Sequence, residues 1–209
     1  MTRYLRLLLC LLIPLSLSLP TWSDDRPVIL VMGDSLSASY GIDQEDGWVT
    51  LLAARVREDH PHRVINASVS GETTGGGLAR LPALLDNHQP DIVILELGGN
   101  DGLRGHPIGG MKRELAAMIE QSQDAGAEVL LVGIQIPPNY GSRYTRQFAE
   151  TFPALAQEYQ IPLVPFLLEG VATVEGMMQD DRIHPTAAGQ PIMLEHVWEQ
   201  LAPMLDGAQ

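Results

Sequence analysis

The chain has 209 residues, 45% hydrophobic and 19% charged, with 20 glycines, 15 prolines and one cysteine. That composition excludes a disordered, collagen-like or disulfide-stapled protein, and the length fits one domain. Thirteen Lys and Arg against 26 Asp and Glu give a formal charge of −13, which nucleic-acid phosphates and anionic lipid would repel, so the expected partner is a small molecule or neutral lipid.

Residues 1–23 read as a secretory signal peptide. Arg3 and Arg6 supply the positive start, Leu7 to Leu19 form an apolar run, and Thr21-Trp22-Ser23 puts small residues before a cut ahead of Asp24-Asp25. The alternative is a membrane anchor, but an apolar run of about 13 residues falls short of the roughly 20 that span a bilayer. Cys10 lies inside this run, so cleavage leaves a mature chain, 24–209, with no cysteine. Removing Arg3 and Arg6 makes it two charges more negative. The expected product is a periplasmic or secreted monomer without stable membrane insertion.

Five runs read as strands: Val28 to Met32, Val64 to Ala67, Ile92 to Leu97, Val129 to Ile134 and Ile161 to Phe166. Ile92-Val93-Ile94-Leu95 is apolar on both faces, as a central parallel strand is. Helical spacing appears in Trp48, Leu51, Leu52 and Val56, in Met111, Leu115, Met118 and Ile119, and in Tyr144, Phe148, Leu155 and Tyr159. It returns in Leu194, Val197, Trp198, Leu201 and Leu205. Strand–helix alternation predicts one α/β domain with a parallel sheet between helix layers. Ligands of such sheets bind beyond the carboxyl ends of the strands.

The loops there carry four polar sets. The first strand runs into Gly33-Asp34-Ser35-Leu36-Ser37, which either presents a serine hydroxyl above the sheet or forms an ordinary turn. It is not a Gly-x-Ser-x-Gly elbow, because Ser37 replaces the second glycine. The second leads to Ser70-Gly71-Glu72, where Gly71 either offers its N–H or relieves a tight turn. The third leads to Gly98-Gly99-Asn100-Asp101, where Asn100 is an amide donor or an Asn–Asp turn. Near the C-terminus, Asp181 and His184 are spaced so that one loop delivers a base and the carboxylate that orients it. Pro185 and Thr186 also read as helix-start signals.

Together these four sets resemble the blocks of the GDSL, or SGNH, hydrolases, in the right order and with no block residue missing. The resemblance covers essentially the whole mature chain. It implies a flavodoxin-like three-layer α/β/α sandwich around a five-stranded parallel sheet. It implies Ser35 as nucleophile, His184 as general base, Asp181 as its orienting partner, and Ser35 N–H, Gly71 N–H and the Asn100 side chain as the oxyanion hole. No cofactor or metal is needed. The implied substrates are esters, thioesters and lysophospholipids, with closer likeness to the thioesterase-type and arylesterase members. The alternatives are a carbohydrate-ester deacetylase of the same family and a non-catalytic binding protein on this scaffold.

Other residues carry weaker expectations. His60-Pro61-His62 reads as loop rather than metal pair. Glu96 interrupts an apolar strand, as a buried carboxylate with a partner near the site would. Residues 102–105 form either a movable segment or an ordinary connection. Residues 137–141 and Met177-Met178 are candidate walls for an acyl chain. Asp180, Ser37 and Ser39 are expected to be neighbours without a role.

Overall fold

A computed structural model describes residues 26–207; the expected signal peptide lies outside the described residues. Five parallel strands form one sheet: β1 (Val28–Gly33), β2 (Arg63–Asn66), β3 (Ile92–Glu96), β4 (Glu128–Val132) and β5 (Leu163–Val164), in the order β2-β1-β3-β4-β5. This is the flavodoxin-like order, with its switch point between β1 and β3. In register, Gly33 pairs with Glu96 at the carboxyl end.

Helices cover both faces. α1 (Trp48–Asp59) packs with the C-terminal α6 (Gln190–Gly207). α2 (Thr74–His88), α4 (Ile108–Asp124) and α5 (Ser142–Tyr159) pack together on the other face. The helical spacing read from the sequence marks buried faces: Trp48, Leu52 and Val56, then Met111, Leu115, Met118 and Ile119, then Phe148 and Leu155, and finally Val197 and Leu201 are all buried. Ile92 to Leu95 is buried on both faces.

Several elements differ from the expectation; β4, for one, ends at Val132 rather than Ile134. β5 is only Leu163–Val164 rather than Ile161 to Phe166. Pro162 and Pro165 bracket it and cannot donate to the ladder, so pairing stops at both. α2 has no signature in the sequence pattern because it opens on Gly75-Gly76-Gly77 and holds Pro82, all weak helix formers. Thr73 caps it, accepting from the Gly76 N–H, and Leu81 and Leu85 anchor it to the core. A short α3 (Gly99–Leu103) follows β3 directly.

Candidate active site

β1 ends in Gly33, and the chain then turns tightly, with Ala38 N–H donating to Asp34 O and Tyr40 N–H to Ser35 O. The Asp34 carboxylate folds under the turn, and its Oδ1 accepts from the Leu36 N–H at 3.0 Å. This leaves Ser35 half-buried, facing the space beyond the sheet. The glycine is required by close approach: a Cβ at Gly33 would lie 2.7 Å from the Ser37 side chain and 2.8 Å from Glu96 Oε2.

Asp181 and His184 occupy a small hairpin. Met178 bridges Pro185 antiparallel, Gln179 N–H donates to His184 O and Thr186 N–H to Met177 O. Arg182 closes the turn with φ 58°. The Asp181 Oδ1 accepts from the Ile183 and His184 N–H groups at 2.9 and 3.0 Å. Its Oδ2 lies 2.7 Å from His184 Nδ1, and His184 Nε2 lies 2.8 Å from Ser35 Oγ. A carboxylate only accepts, so Nδ1 carries the imidazole proton and Nε2 accepts from the serine hydroxyl. Partial burial raises the Asp181 carboxyl pKa, but the hydrogen bonds from His184 and Ile183 outweigh it and hold the group down at about 2.

The loop after β2 is tied down from two sides. Arg80 donates to Ala67 O at 2.6 Å and to Glu72 at 2.7 Å, and Arg104 donates to Gly71 O at 3.0 Å. Gly71 has φ +80°, which favours glycine. Neither the Gly71 N–H nor the Ser35 N–H donates to another group among the described residues. Asn100 does not satisfy its own backbone: its Nδ2 donates to Asp34 Oδ2 at 2.9 Å. One amide hydrogen is held there and the other is left over. Burial pushes the Asp34 carboxyl up to about 6, against the opposing hydrogen bonds from Leu36 and Asn100.

Asp101, next to Asn100, turns away from the site. It accepts from the Thr74 N–H and hydroxyl, both at 2.9 Å, at the start of α2. Glu96 is fully buried and does have the expected partners near the site, Ser37 and Asp34. Ser37, expected to be a neighbour without a role, is buried and donates to Glu96. Two contacts were missed in the sequence. The Tyr40 ring lies against the His184 ring, tilted at 40° with centroids 4.4 Å apart. Gln179 Nε2 donates to both Tyr40 O and Pro185 O, tying the hairpin to the β1–α1 loop. Neither residue carries a sequence signal beyond its proximity to a block.

A cavity of about 540 Å³ opens beside Ser35 and His184, within the usual range for small-molecule sites. Ile134, Ile136, Phe166, Leu168 and Ile183 make its walls largely apolar. Pro137, Pro138 and Met178 line it as expected, whereas Met177 and residues 139–141 do not. Among the described residues no cluster of His, Cys, Asp or Glu could hold a metal. His60 and His62 lie 6.4 Å apart, ring to ring, away from this cavity.

The model of the GDSL-like lipase/acylhydrolase family matches residues 31–192. The chain belongs to that family. Its relatives include the esterase TesA of Pseudomonas aeruginosa, 50% identical over 91% of this chain and 96% of that protein. They also include an arylesterase of Vibrio mimicus, 47% identical over 85% of this chain and 89% of that one. Thioesterase 1/protease 1/lysophospholipase L1 of Escherichia coli K12 is 43% identical over 85% of each chain. Among solved structures, TesA superposes with a TM-score of 0.83 at 52% identity, covering 85% of this chain and 99% of that one. The psychrotrophic esterase EstA of Pseudoalteromonas sp., inhibited by monoethylphosphonate, gives 0.81 at 42% identity, covering 86% and 98%. This GDSL-type chain is thus a hydrolase of the esterase and thioesterase kind, and its three-layer α/β fold is that of its relatives.

Proposed function

We propose that the chain is an exported serine hydrolase that cleaves carboxylic esters and acyl thioesters, lysophospholipids included, through a Ser35–His184–Asp181 triad and an acyl-enzyme. The observation that carries this reading is the unbroken chain of short hydrogen-bond distances from Ser35 Oγ through His184 to Asp181 at the edge of an apolar cavity. A serine hydroxyl becomes an effective nucleophile when an imidazole takes its proton. Here Ser35 Oγ attacks the acyl carbon and its proton passes to His184 Nε2. Asp181 holds the ring in the tautomer that allows this and stabilises the imidazolium.

The attacked carbonyl oxygen becomes an oxyanion. The Ser35 and Gly71 N–H groups, unbonded within the described chain, and the second hydrogen of the Asn100 amide are the donors available to it. Collapse expels the alcohol or thiol, which takes the proton from His184. Water then attacks the acyl-Ser35 ester by the same route in reverse and releases the acid. The apolar walls suit the acyl portion. Export rests on the signal-like residues 1–23.

A fluorophosphonate probe with peptide mapping tests the reading. Labelling at Ser35, abolished in Ser35→Ala and slowed in His184→Ala, is expected. A folded protein that hydrolyses no aryl ester and takes no label would instead be the binding protein. Graded acyl esters, thioesters and an acetylated sugar, assayed side by side, separate the thioesterase type from a deacetylase.

A further inference from the structure

Glu96 has no part in those steps. It closes β3 after four buried aliphatic residues, and it is itself fully buried. Its Oε2 accepts from the Ser37 hydroxyl at 2.7 Å and from the Asp34 N–H at 3.3 Å, while Oε1 has no hydrogen-bond partner among the described residues. Burial, and then the nearby Asp34 carboxyl, push its pKa well above the ordinary carboxylate range. A buried acid with an unpaired oxygen is costly to the fold, and an aliphatic residue like those on either side of it would avoid the cost.

The contacts of this acid fall on one short segment. Asp34 and Ser37 flank Ser35, so a single oxygen grips both sides of the nucleophile turn from beneath. The Asn66 amide holds the same turn from β2, donating to Ser37 O at 2.8 Å. Asp34 in turn accepts the Asn100 amide. The grip on the Asp34 peptide therefore reaches both the nucleophile and an oxyanion donor.

We propose that Glu96 is a positioning residue for the reaction: by holding Ser37 and the Asp34 N–H it fixes the turn that aims Ser35 and its N–H, and through Asp34 the amide of Asn100. Glu96 acts through these neighbours and touches no substrate. The proposal rests on the reading of Ser35 as nucleophile.

The test uses Glu96→Leu, which removes both hydrogen bonds, Glu96→Gln, which keeps an acceptor oxygen at nearly the same size, and Ser37→Ala, which removes one bond. Each is assayed for kcat and KM on an aryl ester, for the rate of fluorophosphonate labelling and for Tm. A misaimed catalytic group costs about 10²-fold. Glu96→Leu should therefore lower kcat and the labelling rate by about that factor with KM nearly unchanged, and Glu96→Gln should recover most of the loss. Adding Ser37→Ala to Glu96→Leu should cost little more, because the two act as one link. Wild-type kcat in folded Glu96→Leu overturns the proposal, whatever its Tm. If that variant does not fold, Ser37→Ala decides: a lowered kcat at unchanged KM supports the proposal, and an unchanged kcat overturns it. Wild-type protein that takes no label defeats the nucleophile reading itself, a separate failure.

Discussion

The Asn100 amide nitrogen lies 2.9 Å from the buried carboxylate of Asp34, joining the loop after β3 to the turn after β1. An amide held this way is oriented before substrate arrives, which is the condition for stabilising charge without reorganisation. A donor of this kind serves the transition state more than the bound ester. Asn100→Ala is expected to lower kcat by about 10²–10³, with a much smaller change in KM. Kinetics and Tm measured together on the purified variant check this. A lowered Tm with near-normal kcat would leave Asn100 a structural residue.

The same pair predicts a pH effect. Burial pushes the Asp34 carboxyl up to about 6, so it accepts from Asn100 as a carboxylate above that pH and loses its charge below it. Under the proposed mechanism His184 must also be neutral to accept the serine proton. Falling pH therefore removes two requirements, and the acid limb of kcat/KM should become steeper than one proton below about pH 6. In Asp34→Asn it should return to a single-proton slope at a lower plateau. A single-proton limb in the wild type down to pH 5 would count against the coupling.

Asp181 and Asp180 are adjacent, yet among the described residues Asp181 accepts three hydrogen bonds and the exposed Asp180 none. Asp181→Asn should reduce kcat by a factor approaching 10⁴ where the imidazole tautomer is lost. Asp180→Asn should leave it near wild type. The opposite ranking in a single assay would overturn the assignment of the hairpin acid.

His62 predicts a change in stability away from the site. It is buried with neither ring nitrogen partnered among the described residues, and burial lowers its pKa, partly offset by Asp91. The unfolded chain then takes up the proton first as pH falls, so this residue lowers native stability below about pH 6.5. Asp34 and Glu96, with raised values, work in the opposite sense: the native state takes up their protons first, and their contribution fades as pH rises through the folded values. His62→Phe isolates the first effect. Its Tm should gain on the wild type between pH 7.5 and 5.5, and parallel curves would show that His62 is not involved.

The Asp181–His184 loop, which follows no strand, was legible only from its own spacing and from Pro185. The other three site loops were legible because each follows a strand whose apolar run is plain in the sequence. The sheet and four of the helices were legible for the same reason. α2 was not, since its glycines and Pro82 hide a helix that a Thr73 cap and two buried leucines hold in place. The role of Asp34 could not be read either, because an Asp beside a Ser has the same spacing whether it caps a turn or holds an amide from another strand. Ser37 read as a bystander because burial, not type, makes its hydroxyl bind Glu96. Asp101 shares a motif with Asn100 but points the other way, to Thr74.

Much of the cavity wall comes from segments of the chain other than those that carry Ser35, Gly71 and Asn100. Ser35, Gly71 and Asn100 follow β1, β2 and β3, three neighbours in the sheet. Ile134 to Pro138 and Phe166 to Thr173, which supply much of the wall, follow β4 and β5 on the far side. Substitutions in those two segments away from Ile134 and Ile136, which pack against Gly99 and Gly102 of α3, can reshape the cavity while leaving Ser35, Gly71 and Asn100 in place. One set of reactive groups could thus be paired with many slots, and substrate range could diverge among relatives while the chemistry is inherited unchanged.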